Sequence, residues 1–293
     1  MNRPRVAEAA LVWNTVIWGA TFVLVKVALH SISPILFLAL RFSLATIALL
    51  ALFRGFGRGL LTWADAGRGA LVGVFLFGGY FFQTLGLQYT TAPKSAFITG
   101  LTSVMVPLLA ALVYRSKPQV SEVAGVLVAT AGLGVMTLEG AVGSIGRGDL
   151  LTLCCTLAFA AHIVTLGHFS ERMSYELLSV MQVGAAAAMA WLLFRWTETP
   201  RLEWRPAVVY AILVTGLLAT ASAFTIQAWA QQYTSATRTA LIYMLEPVIA
   251  WMTSFLIVGE GLSGRAAAGA ALILSGVVLA EMKPLRSRKH PSS

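Results

Sequence analysis

Charged side chains are scarce in this sequence of 293 residues. Lys, Arg, Asp and Glu together make up 11% of the chain, whereas 58% of its residues are hydrophobic. A soluble domain carries about 25% charged residues. So few polar groups cannot cover the surface of a folded chain in water. The composition therefore predicts a protein whose outer surface lies in lipid.

Cysteine is nearly absent, and several chemical signatures are missing altogether. The two cysteines, Cys154 and Cys155, are adjacent within an apolar run, so no disulfide framework is expected. No pair of cysteines or histidines has metal-ligand spacing. The chain also lacks a phosphate-binding GxxxxGK[ST] loop, an HExxH motif and a GxSxG motif. We therefore expect no metal, no cofactor and no enzymatic activity.

Basic residues exceed acidic ones, giving a net charge of +9. They lie between apolar runs and form no patch interleaved with aromatic residues, so nucleic acid is not an expected partner. Their positions instead indicate membrane topology.

Ten apolar segments approach the length of about 20 residues that a membrane-spanning helix needs. They are 7–29, 34–54, 69–88, 93–114, 121–139, 149–169, 174–195, 206–230, 236–258 and 264–282. Arg3 and Arg5 resemble the start of a signal peptide, but the first apolar run is long enough to be a retained helix. Only helices satisfy the backbone of runs this long in lipid. The fold class predicted is an all-α membrane protein with ten transmembrane helices.

The distribution of Lys and Arg predicts that both termini are cytoplasmic. With that orientation thirteen basic residues lie on the cytoplasmic side and six on the opposite side, leaving Lys26 and Arg41 inside helices. The first half obeys the rule cleanly, whereas Arg195, Arg201 and Arg205 fall outside.

The sequence repeats itself with an offset of 144 residues. Gln83 matches Gln227, and after a slip of four residues Pro107 matches Pro247. The original offset then returns in two glycine pairs, which are Gly125 with Gly269 and Gly132 with Gly276. Five helices is an odd number, so the two copies must have opposite topology, as in transporters with a midplane site. We expect repeats at 1–140 and 149–283, followed by a cytoplasmic basic tail at 284–293.

Several motifs resemble the drug/metabolite transporter superfamily, in particular its EamA-type members. They are Trp18-Gly19-Ala20 with Lys26, Arg41-Phe42, Leu245-Glu246-Pro247-Val248, Gly259-Glu260, and the glycines at 125–132 and 269–276. The resemblance covers essentially the whole chain. It implies a basket in which helices 1, 3, 4, 6, 8 and 9 enclose a central cavity, with helices 5 and 10 peripheral. It also implies export of amino acids and related metabolites.

The chain departs from a symmetric pattern at two places. Val106-Pro107 stands in helix 4 where helix 9 has Glu246-Pro247, so the acidic position occurs in one repeat only. Lys117-Pro118 stands where the second repeat has Gly259-Glu260. A mechanism with paired carboxylates is therefore not favoured.

Glu246 is the foremost candidate for a transport role, because ionisable groups inside a membrane are costly. It lies ten residues into the ninth segment, 236–258. Proton coupling or contact with a substrate ammonium would explain its position. The alternative is that Glu246 pairs with a cation or caps backbone groups freed by Pro247. Arg41 could hold a structural partner or a substrate carboxylate, and Lys26 could reach the interface.

The predicted substrate-binding set consists of polar and aromatic residues on the helices assigned to the cavity. It comprises Trp18, Tyr80, Gln83, Thr99, His162, Gln227, Tyr243 and Glu246. Amides and phenols can satisfy an amino acid's charged ends, and rings can bracket its side chain; packing is the alternative for each. Gly78, Gly79, Pro107 and Pro247 are the predicted gating residues, since proline kinks helices.

Together these features predict a secondary transporter in the bacterial inner membrane. It would export small metabolites, foremost amino acids, by alternating access, and a monomer would suffice. An exchanger of phosphorylated or nucleotide-linked sugars, and an efflux carrier for small drugs, are the alternatives. The sugar exchanger would need several cations in the cavity.

Overall fold

The computed structural model describes residues 3–54, 62–86, 89–90, 92–115, 119–138, 145–258 and 264–281. Within these ranges the chain forms thirteen α-helices and one π-helical turn. They are α1 (Arg3–Ala28), α2 (Pro34–Leu52), α3 (Trp63–Gly86), α4 (Ala92–Gly100), α5 (Thr102–Tyr114), α6 (Val120–Thr137), α7 (Arg147–Ser170), α8 (Tyr175–Thr197), α9 (Pro206–Gly216), the π-turn (Leu217–Ser222), α10 (Ala223–Ala230), α11 (Ala236–Tyr243), α12 (Glu246–Val258) and α13 (Gly264–Glu281). The predicted tail, Lys117-Pro118 and Gly259-Glu260 lie outside the described residues.

The all-helical prediction is confirmed for this part of the chain. One isolated bridge, between Ile32 and Leu202, is the only β contact in it. Within the described ranges, six helical stretches are long and apolar enough to cross a membrane. They are Pro34–Leu52, Trp63–Gly86, Phe97–Tyr114, Arg147–Ser170, Tyr175–Thr197 and Pro206–Ala230.

Large apolar side chains lie on the outer surface of the helical bundle, as expected for a surface in contact with lipid. Leu52 is 71% exposed, and Leu112 and Leu256 are each 75% exposed. Asn14 and Gln182, by contrast, are fully buried. A soluble protein rarely exposes so many large apolar residues while burying its amides. The helices therefore place apolar side chains outward and keep polar groups within the bundle.

Two predicted continuous helices are each broken into two. Segment 93–114 divides at Leu101 into α4 and α5, and segment 236–258 divides at Met244 and Leu245 into α11 and α12. At the second break the N–H groups of Met244 and Leu245 donate to carbonyls three residues back, at 3.1 and 3.0 Å. Leu101 and Leu245 are related by the 144-residue offset of the sequence repeat.

The break corrects the interpretation of Glu246 and Pro247. Glu246 does not lie ten residues inside a continuous helix, because it is the first residue of α12. Pro247 is the second, where a missing N–H costs no helical bond and the fixed φ suits the helix. Pro247 therefore begins a helix instead of bending one. Pro107, its counterpart, does lie inside α5.

Helices α6 and α13 pack backbone against backbone through the glycines of the repeat. A Cβ at Gly269 would lie 2.6 Å from the carbonyl oxygen of Gly132, and Gly125 faces Gly276 in the same way. Small residues permit this close approach in membrane helices.

A carboxylate from the loop after α8 caps α2. The N-cap residue of α2, Ser33, provides no side-chain cap. Instead the two oxygens of Glu198 accept hydrogen bonds from the N–H groups of Ile35 and Leu36, at 3.0 and 2.8 Å. Negative charge at a helix N-terminus is stabilising. The 198–205 loop is thereby fastened to the start of α2.

Replacing Glu198 with alanine is expected to lower the free energy of unfolding by about 1–2 kcal/mol, since two N–H groups lose their cap. Thermal unfolding of the purified protein in detergent would measure it. Glu203→Ala is the matched control, because Glu203 is 48% exposed and its ion pair within the described chain is with Arg205, which is 66% exposed. Equal unfolding temperatures for the two variants would contradict the capping role.

Candidate functional site

Side chains from seven helices meet in a central cluster, which we define as Trp18, Arg41, Phe42, Tyr80, Phe159, His162, Phe224, Tyr243 and Glu246. The ring of Trp18 lies 4.8 Å from that of Tyr243 and 5.6 Å from that of Phe224, centroid to centroid. Edge-on packing joins Tyr80 to Phe159 at 5.3 Å. These are the tilted and edge-to-face arrangements that aromatic pairs favour.

Arg41 is the cation of the cluster and is only 5% exposed. Its Nε donates to the hydroxyl of Thr220 at 2.6 Å, and its Nη2 donates to the Tyr80 hydroxyl at 3.3 Å and the Ala219 carbonyl at 3.1 Å. The guanidinium carbon also lies 4.8 Å from the centroid of the Tyr80 ring. Neutral acceptors and an aromatic face therefore hold the guanidinium in place.

The π-turn supplies the backbone acceptors for this arrangement. Ala219, within the turn, accepts from the indole Nε1 of Trp18 at 2.9 Å as well as from Arg41. Just after the turn, Ala223 accepts from the amide of Asn14 at 2.8 Å. A π-turn changes the register of the helical hydrogen bonds, and such turns are frequent at functional sites. Here it ties α1 and α2 to the α9–α10 helix.

Glu246 carries the negative charge of the cluster. It is partly buried, and its carboxylate has no hydrogen bond or ion pair with any residue that the structure describes. Glu246 begins α12 three residues after Tyr243, whose ring packs against Trp18. Glu246 and Arg41 are not paired with each other.

His162 joins the cluster by its ring but not by its polar atom. The ring packs edge-on against Phe224 at 5.7 Å. Its Nε2 bonds to the side-chain oxygen of Gln182 at 2.9 Å, and the residue is 2% exposed. A role in substrate contact or proton relay remains a prediction, and it would require this bond to Gln182 to change.

Three predicted binding residues make no hydrogen bond to the cluster within the described chain. Thr99 lies against the sulfur of Cys155, at 3.8 Å. Gln227 is 1% exposed and donates to Gln231 at 3.2 Å. Gln83 is partly buried on α3, one helical turn beyond Tyr80. Their predicted binding roles receive no support from this geometry.

The predicted hinge at Gly78 and Gly79 lies inside α3, which continues through both residues. A Cβ at Gly79 would run into the ring of Phe159. Gly78 lines an apolar groove of about 440 Å³ between α3, α5 and α7. Gly79 thus allows close packing of α7 on α3, and a gating role for both glycines stays a prediction.

Sequence reasoning missed several residues that build the site. They are Asn14, Phe42, Phe159, Gln182, Thr220 and Phe224. A buried amide in the middle of an apolar segment was a visible signal for Asn14 and Gln182. Phe42 belongs to the Arg41-Phe42 motif but was not chosen as a site residue, and nothing in the sequence marked Phe159 and Phe224 among the fifteen phenylalanines of the chain. The side chain of Lys26 lies outside the described residues.

Helices with apolar outer surfaces around a buried polar and aromatic cluster define a multi-pass membrane protein. The EamA-like transporter family matches this chain twice, over residues 6–138 and 146–282. The chain therefore belongs to the EamA-like transporter family, and it is a transporter of the drug/metabolite type.

Full-length relatives support the same family. An uncharacterized transporter from Archaeoglobus fulgidus is 35% identical over 277 residues, which cover 94% of this chain and 86% of the relative. The uncharacterized transporter YoaV from Bacillus subtilis is 23% identical, over 90% of this chain and 93% of its own length. A solved crystal structure shares the fold, with a TM-score of 0.80 at 22% identity over 94% of this chain and 98% of the other.

Proposed function

We propose that this protein exports amino acids and related small metabolites by alternating access, with the central cluster as the substrate site. The observation that carries the proposal is Glu246, a carboxylate without a partner in the described chain, beside aromatic rings at a helix break. An ammonium group can pair with such a carboxylate and rest on ring faces. The rings of Trp18 and Tyr243 would hold an apolar side chain.

The proposed architecture has ten membrane crossings in two inverted repeats of five. Helices α4 with α5, α9 with α10, and α11 with α12 each form one crossing, and the other seven helices form one each. Discontinuous helices near the membrane midplane are a common device for binding substrates in transporters with inverted repeats. The distribution of Lys and Arg supports cytoplasmic termini. The inner membrane and the export direction are proposed from the resemblance to EamA-type exporters.

Counterflow in proteoliposomes tests the proposal. The purified protein is reconstituted into liposomes that contain unlabelled amino acids. Uptake of labelled aromatic, thioether and hydroxyl-bearing amino acids into these proteoliposomes is then followed. We expect saturable exchange with at least one of them, fastest for apolar or aromatic side chains. Liposomes without protein are the control. Absence of exchange with all of them, by protein that unfolds cooperatively on heating, would contradict the amino-acid proposal.

A carrier of small cationic drugs is the second candidate, because Glu246 and the rings alone would suit an apolar cation. Phenethylamine, which is phenylalanine without the carboxylate, is added to the same panel to distinguish the drug carrier from the amino-acid exporter. Exchange of phenethylamine without exchange of phenylalanine would favour the drug carrier. An exchanger of phosphorylated sugars is less well supported, because Arg41 is the single cation in the cluster as defined.

A further inference from the structure

Arg41 has no negative partner in the part of the chain that the structure describes. No carboxylate there lies within 4.0 Å of its guanidinium, although the side chain is 5% exposed. A buried charge without a counter-charge is costly in a membrane protein. Its three acceptors, Thr220, Tyr80 and Ala219, are all neutral. A purely structural brace for these groups would not need a charged side chain.

One amino group of Arg41 is left without a hydrogen-bond partner. The three hydrogen bonds use Nε and Nη2. The other group, Nη1, donates to none of the described residues, and it is not among the polar atoms sealed from solvent without a partner. An arginine presents its donors in a planar fork that matches a carboxylate. Here one edge of the fork is held by the protein, and Nη1 remains available.

The two charges of the cluster, Arg41 and Glu246, form no ion pair with each other. Arg41 donates to the Tyr80 hydroxyl, and Glu246 begins α12 three residues after Tyr243. A ligand with a positive and a negative end can therefore engage both charges. Trp18 and Tyr243, whose ring centroids lie 4.8 Å apart, would then flank the ligand's side chain.

We propose that Arg41 binds the carboxylate of the transported amino acid through Nη1, while Glu246 receives its ammonium. The proposal rests on the proposed function and adds to it: the site selects molecules that carry both charges, and Arg41 is the residue that requires the carboxylate. The π-turn and Tyr80 position the guanidinium by occupying its other donors.

Removing the carboxylate from the ligand tests the proposal without altering the protein. Competition against exchange of labelled L-phenylalanine is measured for unlabelled L-phenylalanine and its amide, with L-leucine and its amide as a second pair. We expect each amide to compete about 10- to 100-fold more weakly than its acid, the range for a hydrogen bond between charged groups. An amide that competes as well as its acid would overturn the proposal.

Substituting the arginine tests the same contact from the protein side. In Arg41→Gln the affinity for the amino acid should fall to the affinity for its amide. The affinity for the amide itself should change less than about threefold. Arg41→Lys keeps the charge but loses the fork, and should give an intermediate ratio of acid to amide. Arg205→Gln, at an exposed site, is the matched control and should leave the ratio unchanged.

The outcomes separate this proposal from the proposed function. If wild-type protein exchanges no amino acid, the proposed function itself is wrong. If exchange occurs but Arg41→Gln lowers the affinities for the acid and for the amide equally, Arg41 is a structural residue and this inference is overturned. If Arg41→Gln fails to fold, the amide comparison in wild-type protein and the Arg41→Lys ratio decide.

Discussion

Glu246→Gln is expected to lower amino-acid exchange about 100-fold while the protein remains folded. The glutamine has the same shape but no charge, so a substrate ammonium loses its charged partner, which is worth up to about 3 kcal/mol. Because the carboxylate has no partner among the described residues, its removal should not lower the unfolding temperature. Initial rates of exchange in proteoliposomes, together with thermal unfolding, would measure both effects.

A matched control for this substitution is Glu203→Gln. Glu203 is 48% exposed, and among the described residues it forms its ion pair with Arg205. The exchange rate of this variant should therefore equal that of the wild type. Wild-type exchange by Glu246→Gln would exclude Glu246 from the transport mechanism. Loss of exchange accompanied by a lower unfolding temperature would instead assign Glu246 a structural role at the start of α12.

Gly269→Ala is expected to destabilise the protein by about 1–3 kcal/mol, the usual cost of overpacking. The new methyl group would lie 2.6 Å from the Gly132 carbonyl and 2.6 Å from the Met136 Cβ. Helices α6 and α13 would have to separate, because backbone atoms cannot turn aside as a flexible side chain can. The unfolding temperature of the purified protein in detergent is the measurement, and we expect it to fall by several degrees.

The same helix provides the control. Gly264 begins α13, and a Cβ there would have nothing within 4 Å. Gly264→Ala should therefore leave stability unchanged or raise it by up to about 1 kcal/mol through better helix propensity. Similar unfolding temperatures for the two alanine variants would mean that the contact between α6 and α13 is looser than the glycine spacing implies.

The sequence repeat predicted more than the existence of two related halves. Its four-residue slip falls between Ile98 and Pro107 in the first copy and between Ile242 and Pro247 in the second. The breaks at Leu101 and Leu245 lie in these same stretches. An alignment gap of about one helical turn marks a place where a continuous helix is not required. The gap was visible in the sequence, but its meaning as a helix break was not.

Part of the candidate site could be predicted from the sequence. The residues chosen show how far residue type and helix assignment can identify a site. Trp18, Tyr80 and Tyr243 were selected as polar or aromatic residues on helices expected to line a cavity, and ring contacts through Phe224 join them. Gln227 satisfied the same criteria and is buried against Gln231. A helix has several faces, and residue type alone does not tell which face turns to the centre.

The sequence by itself determined the environment of this protein and its helical fold class, but not where the helices break. Its scarcity of charge and its long apolar runs leave helices in lipid as the stable solution, because the backbone must satisfy its own hydrogen bonds there. The repeated glycines marked the two related halves, and the structure showed that they meet where α6 crosses α13.

Only the tertiary structure decided how the charges are held. Helix 2 was not among the helices expected to line the cavity, yet it brings Arg41 to a π-turn 179 residues later in the chain. Whether a buried guanidinium is neutralised or left available depends on which acceptors surround it in space. Those acceptors are a hydroxyl, a phenol and a backbone carbonyl from distant segments, and no local pattern in the sequence encodes their meeting.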